Sequence, residues 1–201
     1  RQKKKSTSLH SRPKNLSLEI KKENLHQSIN QYSFDNFLVG PSNKLAFDYL
    51  CSLQSQKDDG EYTQSSPTFL LAGPGLGKTH LLRSLNKAIE RSRYYYGMEI
   101  ALKIKTQEDL LYFVSNLPDI LIIDDFDQMF MEKNATLEAH FNFLLEILMQ
   151  KNHKLVLSSC LPFEKLPLTN IQLSSRLRQC LVQSIQEFCP SVKKGVVKNF
   201  Q

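Results

Sequence analysis

The sequence predicts an α/β fold in which a five-stranded parallel sheet is flanked by helices. Three observations predict it. Short apolar runs alternate with stretches of helical periodicity, the pattern of strand–helix–strand units. A glycine-rich loop, Gly73-Pro74-Gly75-Leu76-Gly77-Lys78-Thr79, stands directly between one such run and a helix. Residues 120–123 are continuously apolar and lead into Asp124 and Asp125, as expected of a strand buried on both faces.

Taken in order, residues 1–27 are polar, charged and poor in aromatics, and read as a disordered basic tail. Residues 28–189 read as the folded core and 190–201 as a short tail. Order begins with Tyr32, Phe34 and Phe37, followed by Gly40-Pro41-Ser42. Ser42 is placed to cap a helix that carries Leu45, Ala46, Tyr49 and Leu50 at helical spacing. Residues 54–67 are polar and contain Asp58-Asp59-Gly60, the mark of a surface loop. A first strand over 68–71 precedes the glycine loop, and a helix is expected over 78–91. Residues 98–104 read as a second strand. Tyr94-Tyr95-Tyr96 then falls at a helix end, as packing residues or as a platform for stacked bases. Thr106 and Asp109 form a capping-box pattern that opens a short helix through Leu110, Leu111 and Phe113. Over 135–150, Leu137, Phe141, Leu144, Leu145 and Leu148 make a helical stripe. Strands at 155–157 and 181–185 complete the sheet.

Composition narrows the class. Hydrophobic residues at 41% and charged residues at 23% fit a soluble globular chain. No run of about 18 apolar residues exists to span a bilayer, and the basic N-terminus lacks the apolar segment of a secretory signal. Cys51, Cys160, Cys180 and Cys189 are scattered without metal-ligand spacing, which suits free thiols in a reducing cytoplasm. Residues 1–23 hold Arg1, Lys3, Lys4, Lys5, Arg12, Lys14, Lys21 and Lys22 against Glu19 and Glu23, which accounts for the whole net charge of +6. Such a tail is either a weak, salt-sensitive contact for nucleic-acid phosphates or a solvated leader.

The glycine loop carries the chemistry. Its glycines let successive backbone N–H groups turn toward phosphate oxygens, and the helix behind it presents its N-terminus to the same anion. Lys78 would supply a point charge to the terminal phosphates, and the Thr79 hydroxyl would ligate magnesium. Asp124, at the tip of a buried strand, would hold that magnesium, and Asp125 would orient or deprotonate an attacking water. A strand capped by two surface aspartates is the plainer reading of that pair. Arg176, in Leu173-Ser174-Ser175-Arg176-Leu177-Arg178, is a candidate cation for a neighbouring subunit's phosphates, although any surface helix bears arginines. Ser158 and Ser159 follow the 155–157 strand, where a hydroxyl would sense the terminal phosphate or simply mark the exit to a loop. His80 invites no metal reading, because no acid or cysteine cluster accompanies it.

Together these segments resemble the AAA+ core of the bacterial replication initiator DnaA and its shorter relative Hda. The stretch Tyr32-Ser33-Phe34-Asp35-Asn36-Phe37-Leu38-Val39-Gly40-Pro41-Ser42-Asn43-Lys44-Leu45-Ala46 is similar to the family segment that packs around adenine. Gly75-Leu76-Gly77-Lys78-Thr79-His80-Leu81-Leu82 and Leu121-Ile122-Ile123-Asp124-Asp125 extend the match. The resemblance implies a P-loop AAA+ fold and binding of ATP or ADP with Mg2+. It places Phe37, Leu38, Val39 and Asn43 around the base and makes Arg176 an arginine finger. The implied partners are a DnaA-type AAA+ protein or another copy of the chain, in or near replication initiation. Departures temper the activity. The family's sensor aspartate is replaced by Cys160 and its neighbouring arginine by Leu161, with Ser159 as a partial substitute. Weak or partner-stimulated hydrolysis follows, or a scaffold that binds without turnover. The interval from Thr106 to Asp119 leaves room for one short helix where DnaA inserts a helical element to grip single-stranded DNA. That is nearer to Hda-like or helicase-loader-like proteins. From Pro190 on, neither the family's helical lid nor a duplex-binding domain is expected.

Overall fold

A computed structural model describes residues 32–55 and 66–187; the basic tail, the loop stretch 56–65 and the tail over 190–201 lie outside the described residues. Strands β1 (Thr68–Ala72), β2 (Ser92–Tyr96), β3 (Ile120–Asp124), β4 (Lys154–Ser159) and β5 (Leu181–Ile185) form one sheet in the order β2-β3-β4-β1-β5. Every pairing is parallel, as the alternation of strand and helix requires. The helices are α1 (Lys44–Ser55), α2 (Lys78–Ala88), α3 (Gly97–Lys103), α4 (Gln107–Ser115), α5 (Ala135–Gln150) and α6 (Ile171–Leu177).

The pleat sorts side chains onto two faces. Leu70, Ile122 and Val156 pack beneath Leu50 of α1 and Leu81 and Leu85 of α2. Phe69, Leu121, Ile123 and Leu157 pack on the other side with Ile100 of α3, Phe141 and Leu145 of α5, and Leu173 of α6. Each fully buried Leu or Phe contributes about 1.5–3 kcal/mol, so these two layers fix the strand tips that carry the polar residues.

Four local expectations are corrected. The strand expected over 98–104 is helix α3. Met98, Ile100, Leu102 and Ile104 alternate in sequence as a strand would, yet Ile100 and Ile104 are fully buried while Met98 and Leu102 are 55% and 67% exposed. Burial at i and i+4 is the helical period. The helix expected to reach residue 91 stops at Ala88, where Ile89 turns extended. The tyrosines at 94–96 therefore lie in β2 and not at the end of the preceding helix, in keeping with the strand preference of aromatic residues, and Tyr96 stands at the N-cap of α3. As a result two helices, α3 and α4, lie between β2 and β3, while the interval from Thr106 to Asp119 holds the one short helix expected of it, α4. Finally, Ser42 does not cap α1. Its buried hydroxyl has no hydrogen-bond partner among the described residues. Asn43 organises that turn instead, accepting from Gly40 N at 2.8 Å and donating to the Leu38 carbonyl at 2.9 Å. The Thr106–Asp109 capping box forms as expected, with Asp109 N donating to Thr106 Oγ1 at 3.1 Å.

One glycine joins the fold to the site. β2 passes into α3 at Gly97 with no intervening loop, and a Cβ there would lie 2.6 Å from the Asp125 carbonyl oxygen. Any other residue would push α3 away from the end of β3.

Candidate nucleotide-binding site

β1, an interior strand between β4 and β5, ends at Ala72, and α2 begins at Lys78. Between them Gly75 and Gly77 take φ values of 75° and 91°, in the left-handed region that favours glycine. Gly77 is constrained twice, because a Cβ there would sit 2.7 Å from Phe37 Cε2. No side chain caps α2, so its first N–H groups point into the hollow of the loop, a ready anion site. A Cβ built on Gly75 would meet no atom within 4 Å, so the loop is open on that side. Lys78 is 6% exposed. Its Nζ donates to the carbonyls of Ala72 at 2.8 Å and Gly73 at 3.2 Å, and lies 3.0 Å from Cys160 Sγ. Those carbonyls compensate the buried cation.

The acidic residues lie two strands away, on the face covered by α2. Asp124 is fully buried. Its Oδ1 accepts from the Ser158 hydroxyl and from Asp125 N at 3.1 Å, and its Oδ2 from the Tyr94 hydroxyl at 2.6 Å. Burial, followed by that bond to Asp124, pushes the Tyr94 hydroxyl far above its ordinary range. Asp125 has φ 50°, an uncommon backbone for a side-chain-bearing residue that aspartate tolerates better than most. Burial, then the charge of Asp124, raises the Asp125 carboxyl, while Lys78 acts the other way.

Ser158 and Ser159 separate here. Ser158 faces Asp124, and its hydroxyl also accepts from Asp125 N at 3.0 Å. The next residue of a strand points to the opposite face, and the Ser159 hydroxyl is bonded to Leu161, donating to its carbonyl at 2.6 Å and accepting from its N–H at 2.9 Å. Ser159, the last residue of β4, is thus bonded into the turn that follows, and it is Ser158 that meets Asp124.

On the other flank of the loop, His80 Nε2 lies 2.9 Å from the Ser33 carbonyl and 3.0 Å from Asn36 Oδ1. Its ring packs edge-on against Phe37 and Tyr32. This staples the 32–37 segment to α2. Leu38 and Val39 follow as exposed apolar side chains, 48% and 40% accessible. Asn43 is buried and engaged with the turn, so it shapes that segment. Arg176 is not brought to the loop of its own chain. Its guanidinium donates to Asn142 Oδ1 at 2.6 Å and pairs with Glu146 at 3.0 Å, both on α5.

Sequence reasoning took Tyr94 only as a packing or base-stacking residue and missed Arg83. Placing β2 at its true position would have found the first, because Tyr96 then pairs with Asp124 and Tyr94 with Ile122. Thr79 and Asp124 carry hard oxygen donors of the kind that would suit magnesium. Among the described residues no group of three or more His, Cys, Asp or Glu forms a metal cage.

Residues 29–184 match the family model described as the bacterial DnaA ATPase domain. The chain belongs to that family. DnaA of Thermoanaerobacter sp. (strain X514) is 32% identical over 185 residues, covering 83% of this chain and 40% of the relative. DnaA of Rickettsia akari is 27% identical over 195 residues, covering 91% of this chain and 41% of the relative. The DnaA-family chain described here thus spans about 40% of the length of the curated relatives it matches. Domain III of Thermotoga maritima DnaA superposes with a TM-score of 0.68 at 25% identity, over 83% of this chain and 72% of that one. AMPPCP-bound DnaA from Aquifex aeolicus shares the fold, with a TM-score of 0.68 at 23% identity over 85% of this chain and 54% of that one. The sheet and its flanking helices are therefore those of a DnaA-type AAA+ domain. No helix among the described residues is long and apolar enough to cross a membrane.

Proposed function

We propose that this DnaA-family domain binds ATP or ADP with Mg2+ at the loop over 73–79. The bound nucleotide would set its side-by-side association with another DnaA-type AAA+ subunit, its own copy or an initiator, in or regulating chromosomal replication initiation. The observation that carries the reading is the loop itself. Gly75 and Gly77 are left-handed, Lys78 is buried at the start of an uncapped helix, and Asp124 waits on the same sheet face. The N–H groups of 73–79, from Gly73, Gly75, Leu76 and Gly77 onward, cradle the phosphates, with Pro74 stiffening the turn. Lys78 leaves the Ala72 and Gly73 carbonyls for the terminal phosphates. Thr79 and Asp124 hold the magnesium, which when bound neutralises charge on the phosphate oxygens. Phe37, Leu38 and Val39 flank the adenine, Asn43 fixes their turn and His80 secures the segment. Asp125 positions the attacking water, and Arg176 reaches across to a neighbour's nucleotide. DnaA structures bound to AMPPCP support the nucleotide class. Cys160 against Lys78 supports slow turnover, because a thiol offers the attacking water weaker hydrogen bonding than a carboxylate would.

Calorimetric titration with ADP and ATP tests the binding step. Lys78→Ala is expected to weaken affinity by about tenfold or more, the loss of a charge-assisted contact of about 1.5–3 kcal/mol. Sedimentation velocity with ATP and with ADP tests the second step. Identical association in both states, alone and with an initiator, would remove the regulatory reading and leave a nucleotide-binding scaffold.

A second reading is favoured by the two-helix interval α3–α4, which exposes Met98, Leu102 and Tyr112 beside Lys103 and Lys105. A DnaA bound to AMPPCP and single-stranded DNA shares this fold. On this reading the domain contacts single-stranded DNA through that face. Salt-dependent binding that persists after deletion of residues 1–23 supports it, whereas loss with the deletion assigns the contact to the basic tail.

A further inference from the structure

Tyr94 stands at the centre of β2, on the same face as Asp124 and Ser158. A carboxylate offers about four lone-pair sites. On Asp124, two at Oδ1 are taken by Ser158 and Asp125 N, and one at Oδ2 by the Tyr94 hydroxyl. The direction that Asp124 keeps for a further partner is therefore the one that Tyr94 leaves open. The tyrosine ring is fixed in turn. The Arg83 guanidinium of α2 lies 4.3 Å above the Tyr94 centroid, 5.6 Å from that of Tyr96 and 5.8 Å from that of Tyr32. It donates to the Tyr96 hydroxyl at 3.1 Å. Tyr32 packs against His80, on the segment stapled beside the base-flanking residues. A continuous set of contacts thus joins that segment to the buried aspartate through Arg83 and Tyr94.

We propose that Tyr94 is a positioning residue for the magnesium aspartate, and that Arg83 holds its ring in register with the 32–37 segment. The inference rests on the reading of Asp124 as a magnesium-holding residue. Its consequence is specific. The magnesium-dependent part of nucleotide affinity runs through the Tyr94 hydroxyl, since outer-shell hydrogen bonds set the orientation and basicity of a ligating carboxylate. A tyrosine that merely satisfied a buried carboxylate would register as stability alone.

The test is the ratio of affinities for a fluorescent ADP analogue in excess Mg2+ and in EDTA, with thermal unfolding of the nucleotide-free chain recorded beside it. Tyr94→Phe keeps the ring and its contact with Arg83 and deletes only the hydroxyl. It is expected to lower the ratio by about tenfold. Arg83→Met, remote from the carboxylate, is expected to lower it by about twofold to threefold, with Tyr94 untouched. A Tyr94→Phe ratio equal to that of the parent overturns the proposal, whatever happens to the melting temperature. If Tyr94→Phe does not fold, an unchanged ratio in Arg83→Met overturns it instead. Asp124→Asn separates the two layers of inference. A ratio that survives this change shows that Asp124 does not serve the metal, and the premise fails; a ratio that collapses there but not in Tyr94→Phe sinks the tyrosine alone.

Discussion

Asp125 combines an uncommon backbone with a disfavoured charge. Asparagine tolerates φ 50° at least as well, so Asp125→Asn should fold and still bind nucleotide. If Asp125 activates water, turnover falls by about a hundredfold or more, read in a steady-state phosphate-release assay. Equal rates in parent and variant would identify a scaffold. Burial, then Asp124, raises this carboxyl, so between its ordinary value and the raised one the folded chain holds a proton that the unfolded chain has lost. Stability then falls as pH rises through that window. Asp125→Asn should be more stable than the parent above the window and converge with it below, as denaturant titrations at acid and neutral pH would show. Cys180 makes a similar case. Burial pushes its thiol from 9.0 to about 12. Its folded form keeps the proton that an unfolded chain loses, so stability declines between those two values as pH rises. Mass spectrometry after mild alkylation should find Cys160, which is partly exposed, modified well before the buried Cys180.

At the scale of elements, Glu138 shows how a charged side chain joins two helices. It is 1% exposed on α5 and accepts from Thr169 N at 2.8 Å, Asn170 N at 2.6 Å and the Thr169 hydroxyl at 3.1 Å. These bonds fix the approach to α6, and with it Arg176. Glu138→Ala orphans those donors and is expected to cost about 3 kcal/mol in urea unfolding; a loss below about 1 kcal/mol would show that water satisfies them equally well. Nothing in the local sequence marks Glu138, because its partners lie some thirty positions away. Elements with one strong signal were legible. The apolar runs of β1, β3 and β4, the stripe of α5 and the Thr106 box of α4 all form where expected. The β2–α3 junction was not, because Met98 to Ile104 carries both periods at once and only packing against the Asp125 backbone chooses the helix. The phosphate loop and Asp124 were legible because local chain order sets both. Ser158 was ambiguous with Ser159 because the choice depends on which way a strand faces.

At the scale of the whole molecule, the proposed association with a neighbouring subunit turns on Arg176. Arg176 is held on its own α5 by Asn142 and by Glu146, an ion pair whose side chains are 27% and 42% exposed. A partly exposed pair of this kind contributes about 0.2–1 kcal/mol. A terminal phosphate at a subunit junction offers the guanidinium a charge-assisted, bidentate alternative of greater strength. The intrachain contact is then a light latch that nucleotide at a neighbour can outcompete. Glu146→Ala removes the ionic half of the latch, leaving the Asn142 bonds, and should strengthen ATP-dependent association by up to about fivefold, the factor that corresponds to that energy. Arg176→Ala should abolish the ATP-dependent increment and leave any nucleotide-independent association in place. Sedimentation velocity across a concentration series with ATP and ADP reads both effects. If neither substitution changes association, Arg176 belongs to the α5–α6 packing alone and the subunit contact must be sought on another surface. Weaker association in Glu146→Ala would instead show that the pair preorganises the arginine for its neighbour, the opposite sign from a latch.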